Sequence, residues 1–379
     1  MCKLHRSIYG LKIAPKRWFE KLRKVLLKLG FKPFVFKPCI YKWKFTKNNV
    51  SKQLILIVYV DDILLLGDCP DKILNVVKRL QEEFKVSDLG IPKNFLGIEL
   101  VHDKKHHQLF LHQQKYLEKI LNRFGLDRLY LPPTNTPMVT LEAQRKRILA
   151  EQPDAPNPTL FREAIGSLIH LANGTRPDIS FAVNTVSRAQ SAPSGTDWAA
   201  DLRIFAYLKS TLTFGLLYRG TADNIECYVD ASLGTNDANA LSTAGYVILA
   251  HGDVVSWRTK KQTHVALSSS EAEYIAASMA CRQVVTLNHL LSSITKSYPV
   301  PVMYEDNKTA IALAKSLEAK SLKHVVHLAF HYIRFEVLNK NIELRWTPSA
   351  TQLADIFTKA LSGPKFTEFR DRLIKEFGP

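Results

Sequence analysis

The stretch Ser268–His289, SSSEAEYIAASMACRQVVTLNH, decides how the last third of the chain is read. Ser268 and Ser270 each stand three residues before a glutamate, Glu271 and Glu273. That is the spacing of a capping box, so a helix starts here. Behind the start, Tyr274, Ile275, Met279, Val284, Leu287 and Leu290 follow a helical apolar repeat. A helix needs one capping glutamate, and this one has two carboxylates in its first turn; both would favour the positive end of the helix dipole. Three further acids change the reading. Asp230 lies inside the strand-like IECYVDAS, Asp306 follows the strand-like VPVMYE, and Asp355 sits in the first turn of the helix-like TQLADIFTKAL. Carboxylates at the ends of several separate elements are what a two-metal phosphodiesterase site requires.

Outward from this helix the pattern is mixed α/β. Strands are expected over IECYVDAS, STAGYVILA and DVVSWRT, then the helix, a strand over VPVMYE, helices over 307–316 and 327–338, a strand over IELRWTP and a helix over 351–361. This is a three-strand antiparallel start followed by β-α-β crossovers. Beyond Pro364 a short helix or frayed tail is expected. His324, His327 and His331 are spaced to line one helix face, but no fourth zinc ligand is near in sequence, so a satisfied or solvated helix face is expected.

The first half reads differently. In the 379-residue chain, with 46% hydrophobic and 23% charged residues, the net charge is +17, and before Asp61 the only acid is Glu20. Lysines and arginines recur there among Tyr9, Trp18, Phe19, Tyr41 and Trp43, a surface suited to a phosphate backbone with bases stacked beside it. Trp18, Leu22, Val25, Leu26 and Leu29 have helical spacing, with Pro15 at the start and Gly30 as the stop. Next, LILIV, Tyr59-Val60-Asp61-Asp62 and ILLLG read as a hairpin with two carboxylates at its tip. The flanks are aliphatic, so a buried tip is expected, and adjacent buried carboxylates need a cation between them.

A helix over Lys72–Phe84, strands in NFLGIELVHD and QLFLHQQKYL, a proline-rich connection over 131–159 and a mostly helical segment over 160–218 follow. Five scattered cysteines argue against a disulfide framework. The longest apolar run is too short to span a bilayer and carries two aspartates. An intracellular protein is expected, cytoplasmic or nuclear.

Two blocks carry a family resemblance. SIYGLKIAPKRW, YVDD and FLGIEL, in that order, resemble the second half of the reverse transcriptase of copia-type LTR retrotransposons. AIGSLIHLANGTRPDISFAVN and VNTVSRAQSAP resemble the connecting region of the same elements. STAGYV, VSWRTKKQ, VALSSSEAEYIA, EDNKTAIALAKS and QLADIFTKAL resemble their ribonuclease H domain. The resemblance implies an α/β and α+β chain with a partial reverse transcriptase palm and thumb start over 1–130 and a linker and helical connection over 131–220. A ribonuclease H-like mixed-sheet domain over 221–363 and a tail over 364–379 would complete it.

By the same resemblance, Asp230, Glu273, Asp306 and Asp355 would be the ribonuclease H carboxylates, holding two Mg²⁺ (or Mn²⁺) ions. Glu271 would be left as the cap. Asp61 and Asp62 would be palm metal ligands. Template–primer or hybrid contacts would come from Lys16, Arg17, Trp18 and Tyr59, from Phe95, Leu96 and Gly97, and from Arg258, Lys260 and Lys261. Copia-type polymerases carry another metal-binding aspartate on an earlier strand, so ribonuclease H activity without polymerase activity is expected. An active polymerase complemented by the missing segment, and a nucleic-acid-binding remnant without chemistry, are the rivals. At the sites themselves, Ser232 and Leu233 replace the family's Asp-Trp, and Glu305 stands where a small residue or Cys is common.

Overall fold

The computed structural model describes residues 8, 10–140, 154–234, 240–295, 298–316 and 331–378. By its contacts the chain divides into two units, Met1–Ile91 and Pro92–Pro379.

The first unit contains helix α1 (Ala14–Lys28), strands β1 (Lys32–Pro33), β2 (Ile40–Lys47), β3 (Val50–Tyr59) and β4 (Asp62–Gly67), and helix α2 (Pro70–Glu83). The strands form one antiparallel sheet in sequence order. Helical spacing puts Leu22, Val25 and Leu26 of α1 against the inward residues Leu54, Leu56 and Val58 of β3. The helix stops at Gly30, whose φ of +96° suits glycine. A Cβ there would also come within 2.9 Å of the Trp43 indole nitrogen.

Tyr59 pairs with Asp62 across the Val60–Asp61 turn. The expectation of a buried tip is corrected here. The core covers Leu54 to Val58 and ends there, leaving Tyr59 and Val60 more than half exposed and both aspartates exposed. Aliphatic flanks bury the sheet face, not the turn that projects beyond it.

The second unit holds two sheets. The antiparallel one is built from β5 (Asn94–Phe95), β6 (Ile98–Asp103), β7 (Gln108–His112), β8 (Phe214–Tyr218) and β14 (Lys375–Glu376), in the order β5-β6-β7-β8-β14. Residues 214–218, expected as helix, are therefore a strand; Gly215 lets the Leu111 carbonyl and the Phe110 ring come close. The tail carries the expected short helix, over Gly363–Leu373, and beyond it β14 pairs with β8. Between them in sequence run α3 (Gln114–Arg123), α4 (Pro158–Gly174), α5 (Ser180–Val186) and α6 (Gly195–Lys209).

The second sheet comprises β9 (Ile225–Ser232), β10 (Thr243–Ala250), β11 (Asp253–Lys261), β12 (Val302–Glu305) and β13 (Glu343–Trp346), ordered β11-β10-β9-β12-β13. β9 to β11 are antiparallel, and β12 and β13 run parallel to β9. Helix α7 (Ser269–Ile294) covers one face, with α8 (Lys308–Lys315) and α9 (Tyr332–Leu338) beside it. Its Ala276, Ala277, Ala280 and Cys281 are small enough for close approach to Cys227, Val229 and Ile248. The opposite face, Val247 and Leu249, belongs to a core shared with residues of α4, α6 and α10 (Gly363–Leu373). Burial on both sides explains why every residue of β10 is buried.

One device in the helical segment escaped the sequence. Arg176 is fully buried, its guanidinium forked onto Asp178 at 2.7 and 3.0 Å and bonded to the Thr211 carbonyl at 2.9 Å. Tyr207 donates to Asp178 at 2.6 Å. A bidentate pair with its remaining donors satisfied is the form in which a buried arginine is tolerated.

Candidate functional site

The site forms at the ends of β9 and β12, which lie side by side. β9 supplies Asp230, buried and paired in register with Gly245. In α7 the cap and the site use different glutamates. Ser268 Oγ accepts the Glu271 N–H at 3.2 Å, and Glu271 Oε2 accepts the Leu267 N–H at 2.8 Å. Glu271 thus closes the helix end, and Glu273 is left to the site. Asp306 follows β12; Ser349 Oγ donates to its carboxylate at 2.6 Å and Trp346 Nε1 to its carbonyl at 3.0 Å. One oxygen each from Asp230, Glu273 and Asp306 lies within 4.8 Å of the others.

Asp355 arrives on a different element from the one expected. Residues Leu353–Phe357 form a 3-10 turn, not the start of an α-helix. All five are buried, so the segment lacks the polar face of a surface helix and instead wedges against β9 and β10. Gln352 anchors it by donating to the Val229 carbonyl at 2.9 Å. Gly245 makes room, since a Cβ there would stand 2.6 Å from Phe357 Cβ and 2.7 Å from Thr358 Cγ2. With the turn seated, Thr358 Oγ1 donates to Asp230. Lys359 Nζ lies 2.8 Å from Asp355 Oδ1 and 3.8 Å from Asp230 Oδ2.

The electrostatics are those of crowded, dry carboxylates. Burial, then the charges of Glu305, Asp230 and Asp306, push the Glu273 carboxyl far up. Glu305, buried and accepting the Asn307 N–H at 3.0 Å, is raised well above its ordinary value by burial first. Asp230 is also raised by burial, against the opposing pull of Lys359. Burial and then Asp230 bring Asp355 up to about 6, with Lys359 acting in the other direction. Glu273 Oε2 and Glu305 Oε2 are buried with no hydrogen-bond partner. A buried carboxylate oxygen without a donor is costly, and a cation among the three acids removes that cost. An all-oxygen donor set fits a hard divalent ion.

The remaining expected residues are placed as follows. Asp61 and Asp62 are exposed, and no third carboxylate, histidine or cysteine joins them among the described residues. Lys16, Arg17 and Tyr59 are exposed on the first unit. Trp18 is half-buried, edge-on to Phe84 at 5.0 Å, and its indole N–H is spent on the Val60 carbonyl at 2.8 Å. Phe95, Leu96 and Gly97 form the β5–β6 turn, with positive φ at Leu96 and Gly97. Arg258 and Lys260 are exposed on the edge strand β11, and Lys261 is half-buried. His324 and His327 lie outside the described residues; His331 Nδ1 is 3.1 Å from the Tyr274 hydroxyl. The sequence reading missed Ser349, Thr358 and Lys359 as partners of the acids. The last two sit three and four residues after Asp355, a spacing that one turn of a helix-like segment brings to the same side.

A mixed α/β protein with a buried, all-carboxylate cluster at the ends of its central strands is the class that fold and site define. Residues 1–140 match the reverse transcriptase (RNA-dependent DNA polymerase) family. The chain is 32% identical over 370 residues to a retrovirus-related Pol polyprotein from a transposon of Nicotiana tabacum, covering 97% of this chain and 27% of that protein. It is 30% identical over 287 residues to a putative transposon Ty5-1 protein of Saccharomyces cerevisiae, covering 74% of this chain and 89% of that one. The chain belongs to the Pol polyprotein family of copia-type retrotransposons. It spans about a quarter of the length of the curated Pol polyproteins it matches. Among solved structures, an N-terminal ribonuclease H domain from Mycobacterium tuberculosis, studied as a fusion protein, matches at 13% identity over 40% of this chain and 98% of that one, with a TM-score of 0.26.

Proposed function

We propose that the second unit hydrolyses the RNA strand of RNA–DNA hybrids in a magnesium-dependent reaction. The observation that carries this reading is Glu273 Oε2, buried and unpartnered among the carboxylates of Asp230 and Asp306. Bound divalent ions would supply an activated water and charge stabilisation at the leaving oxygen. The chain's own residues do the rest. Asp230, Glu273, Asp306 and Asp355 offer ligands, while Ser349 and Thr358 fix the carboxylates of Asp306 and Asp230 by donating to them. Trp346 is half exposed beside Asp306 with Lys308 Nζ 4.9 Å from its ring, a surface fitted to a sugar or base next to a phosphate. Arg258, Lys260 and Lys261 are assigned phosphate contacts, and recognition of RNA rests on its 2′-hydroxyls.

For the first unit the reading is template–primer binding through Lys16, Arg17 and Tyr59. Asp61 and Asp62 have no third carboxylate among the described residues, so no polymerisation is assigned to this chain acting alone. The test is cleavage of an end-labelled RNA–DNA hybrid in Mg²⁺ by the full chain and by Asp306→Asn. Cleavage should fall by about a hundredfold or more, ~2.7 kcal/mol of transition-state stabilisation. Equal cleavage by both proteins, or none by either, removes the nuclease assignment.

A further inference from the structure

The four acids do not form one symmetric set. Asp230, Glu273 and Asp306 bring their oxygens together, whereas Asp355 is not part of that group and faces Asp230 across an ammonium. Lys359 Nζ stands 2.8 Å from Asp355 and 3.8 Å from Asp230, where a second cation shared by those two carboxylates would otherwise be expected. The lysine is placed there by the fold. Leu353, Ile356 and Phe357 are held in the core, Thr358 is tied to Asp230, and Gly245 lets the whole turn seat against the sheet. Its side chain remains 44% exposed, so its ammonium has a path out to solvent.

We propose that Lys359 is the built-in cation of the Asp230–Asp355 half of the site, so that without nucleic acid the chain takes up one divalent ion and not two. That ion goes to Asp230, Glu273 and Asp306, where the unpartnered Glu273 oxygen has no internal substitute for a metal. A divalent ion entering the other half has to displace a positive charge held by two carboxylates, and like charges a few ångströms apart repel strongly at such a site. Lys359 is on this view a positioning residue. It pairs with Asp355 and Asp230 and would yield its place to a second ion that came with a substrate phosphate. The inference rests on the metal-dependent reading of the site given above.

The test is an equilibrium titration of the full chain with Mn²⁺ and no nucleic acid, read as loss of the free-ion electron paramagnetic resonance signal. The Asp61→Asn/Asp62→Asn background removes any contribution from the first unit. One ion per chain is expected, and one again for Lys359→Arg, which keeps the charge. Lys359→Met and Lys359→Gln should each bind a second ion, with affinity raised about tenfold or more over the parent. Thermal melts of each variant establish that it is folded, and the use of two neutral replacements guards against one that is not. If parent and neutral variants bind one ion alike, or two alike, and Glu273→Gln loses an ion, the metal site stands and the role of Lys359 is overturned. If no variant binds Mn²⁺, the metal-dependent reading fails and this inference with it.

Discussion

Asp61 and Asp62 are neighbours in sequence, whereas Asp230, Glu273, Asp306 and Asp355 are scattered over the last third of the chain, yet the scattered set forms the enclosed site. The adjacent pair sits on a two-residue turn that projects past its own core and keeps its charges in water. The dispersed set is collected by a parallel strand pair, a helix start and a 3-10 turn. Adjacency makes a motif easy to see; convergence of separate elements is what crowds buried carboxylates together.

The strongest way to break this contrast is to neutralise each set in turn. Glu273→Gln should lower hybrid cleavage by about a hundredfold or more, and Asp61→Asn/Asp62→Asn should leave it within about twofold. Sensitivity of hybrid cleavage to the hairpin pair would mean that the exposed acids take part in the same chemistry.

A smaller effect is expected from a residue with no charge. Gly245→Ala places a methyl against Phe357 and Thr358, which displaces the turn carrying Asp355. Cleavage should drop about tenfold with ~1–3 kcal/mol lost in urea denaturation, the usual cost of overpacking. Wild-type cleavage by this variant would show that seating of the turn is not what holds Asp355 near Asp230.

The smallest effect sharpens the contrast, because burial by itself does not make a metal site. Asp201 in α6 is fully buried with both carboxylate oxygens unpartnered, and burial raises it to about 8 from an ordinary 3.8. It stands outside the carboxylate cluster, so a proton is its remedy. Between those two values the folded chain holds a proton that the unfolded chain has released. Stability therefore falls as pH rises from about 4 toward 8 and levels off above. Melting temperatures measured from pH 5 to 8.5 should show this slope in the wild type and a shallower one in Asp201→Asn, with Mn²⁺ uptake unchanged. Parallel slopes in the two proteins would show that Asp201 is ionised in the fold.

Much of this was legible in the sequence where the signal was local. The cap at Ser268, the alternation in β9 and β10 and the aliphatic arms around Asp61 each follow from a few neighbouring residues. The tip of the hairpin was misjudged because flanking residues report the burial of a sheet face, not how far a turn extends beyond it. FGLLY after α6 looked like more helix, and only pairing with β7 and β14 makes it a strand. TQLADIFTKAL has helical composition, but complete burial of Leu353–Phe357 against two strands overrides propensity. Burial of Arg176 has no local signal, because Thr211, which accepts from it, and Tyr207, which donates to its partner Asp178, lie far along the chain.

The pairing of Lys375 with Gly215 has a consequence for synthesis. The antiparallel sheet of the second unit takes its first strands from residues 94–112 and its last from 375–376. Until Lys375 and Glu376 have been made, β8 has one neighbour and an open edge, the kind of surface that pairs with other nascent chains. Closing that edge therefore waits on residues about 160 positions further along, a long loop whose ends are slow to meet.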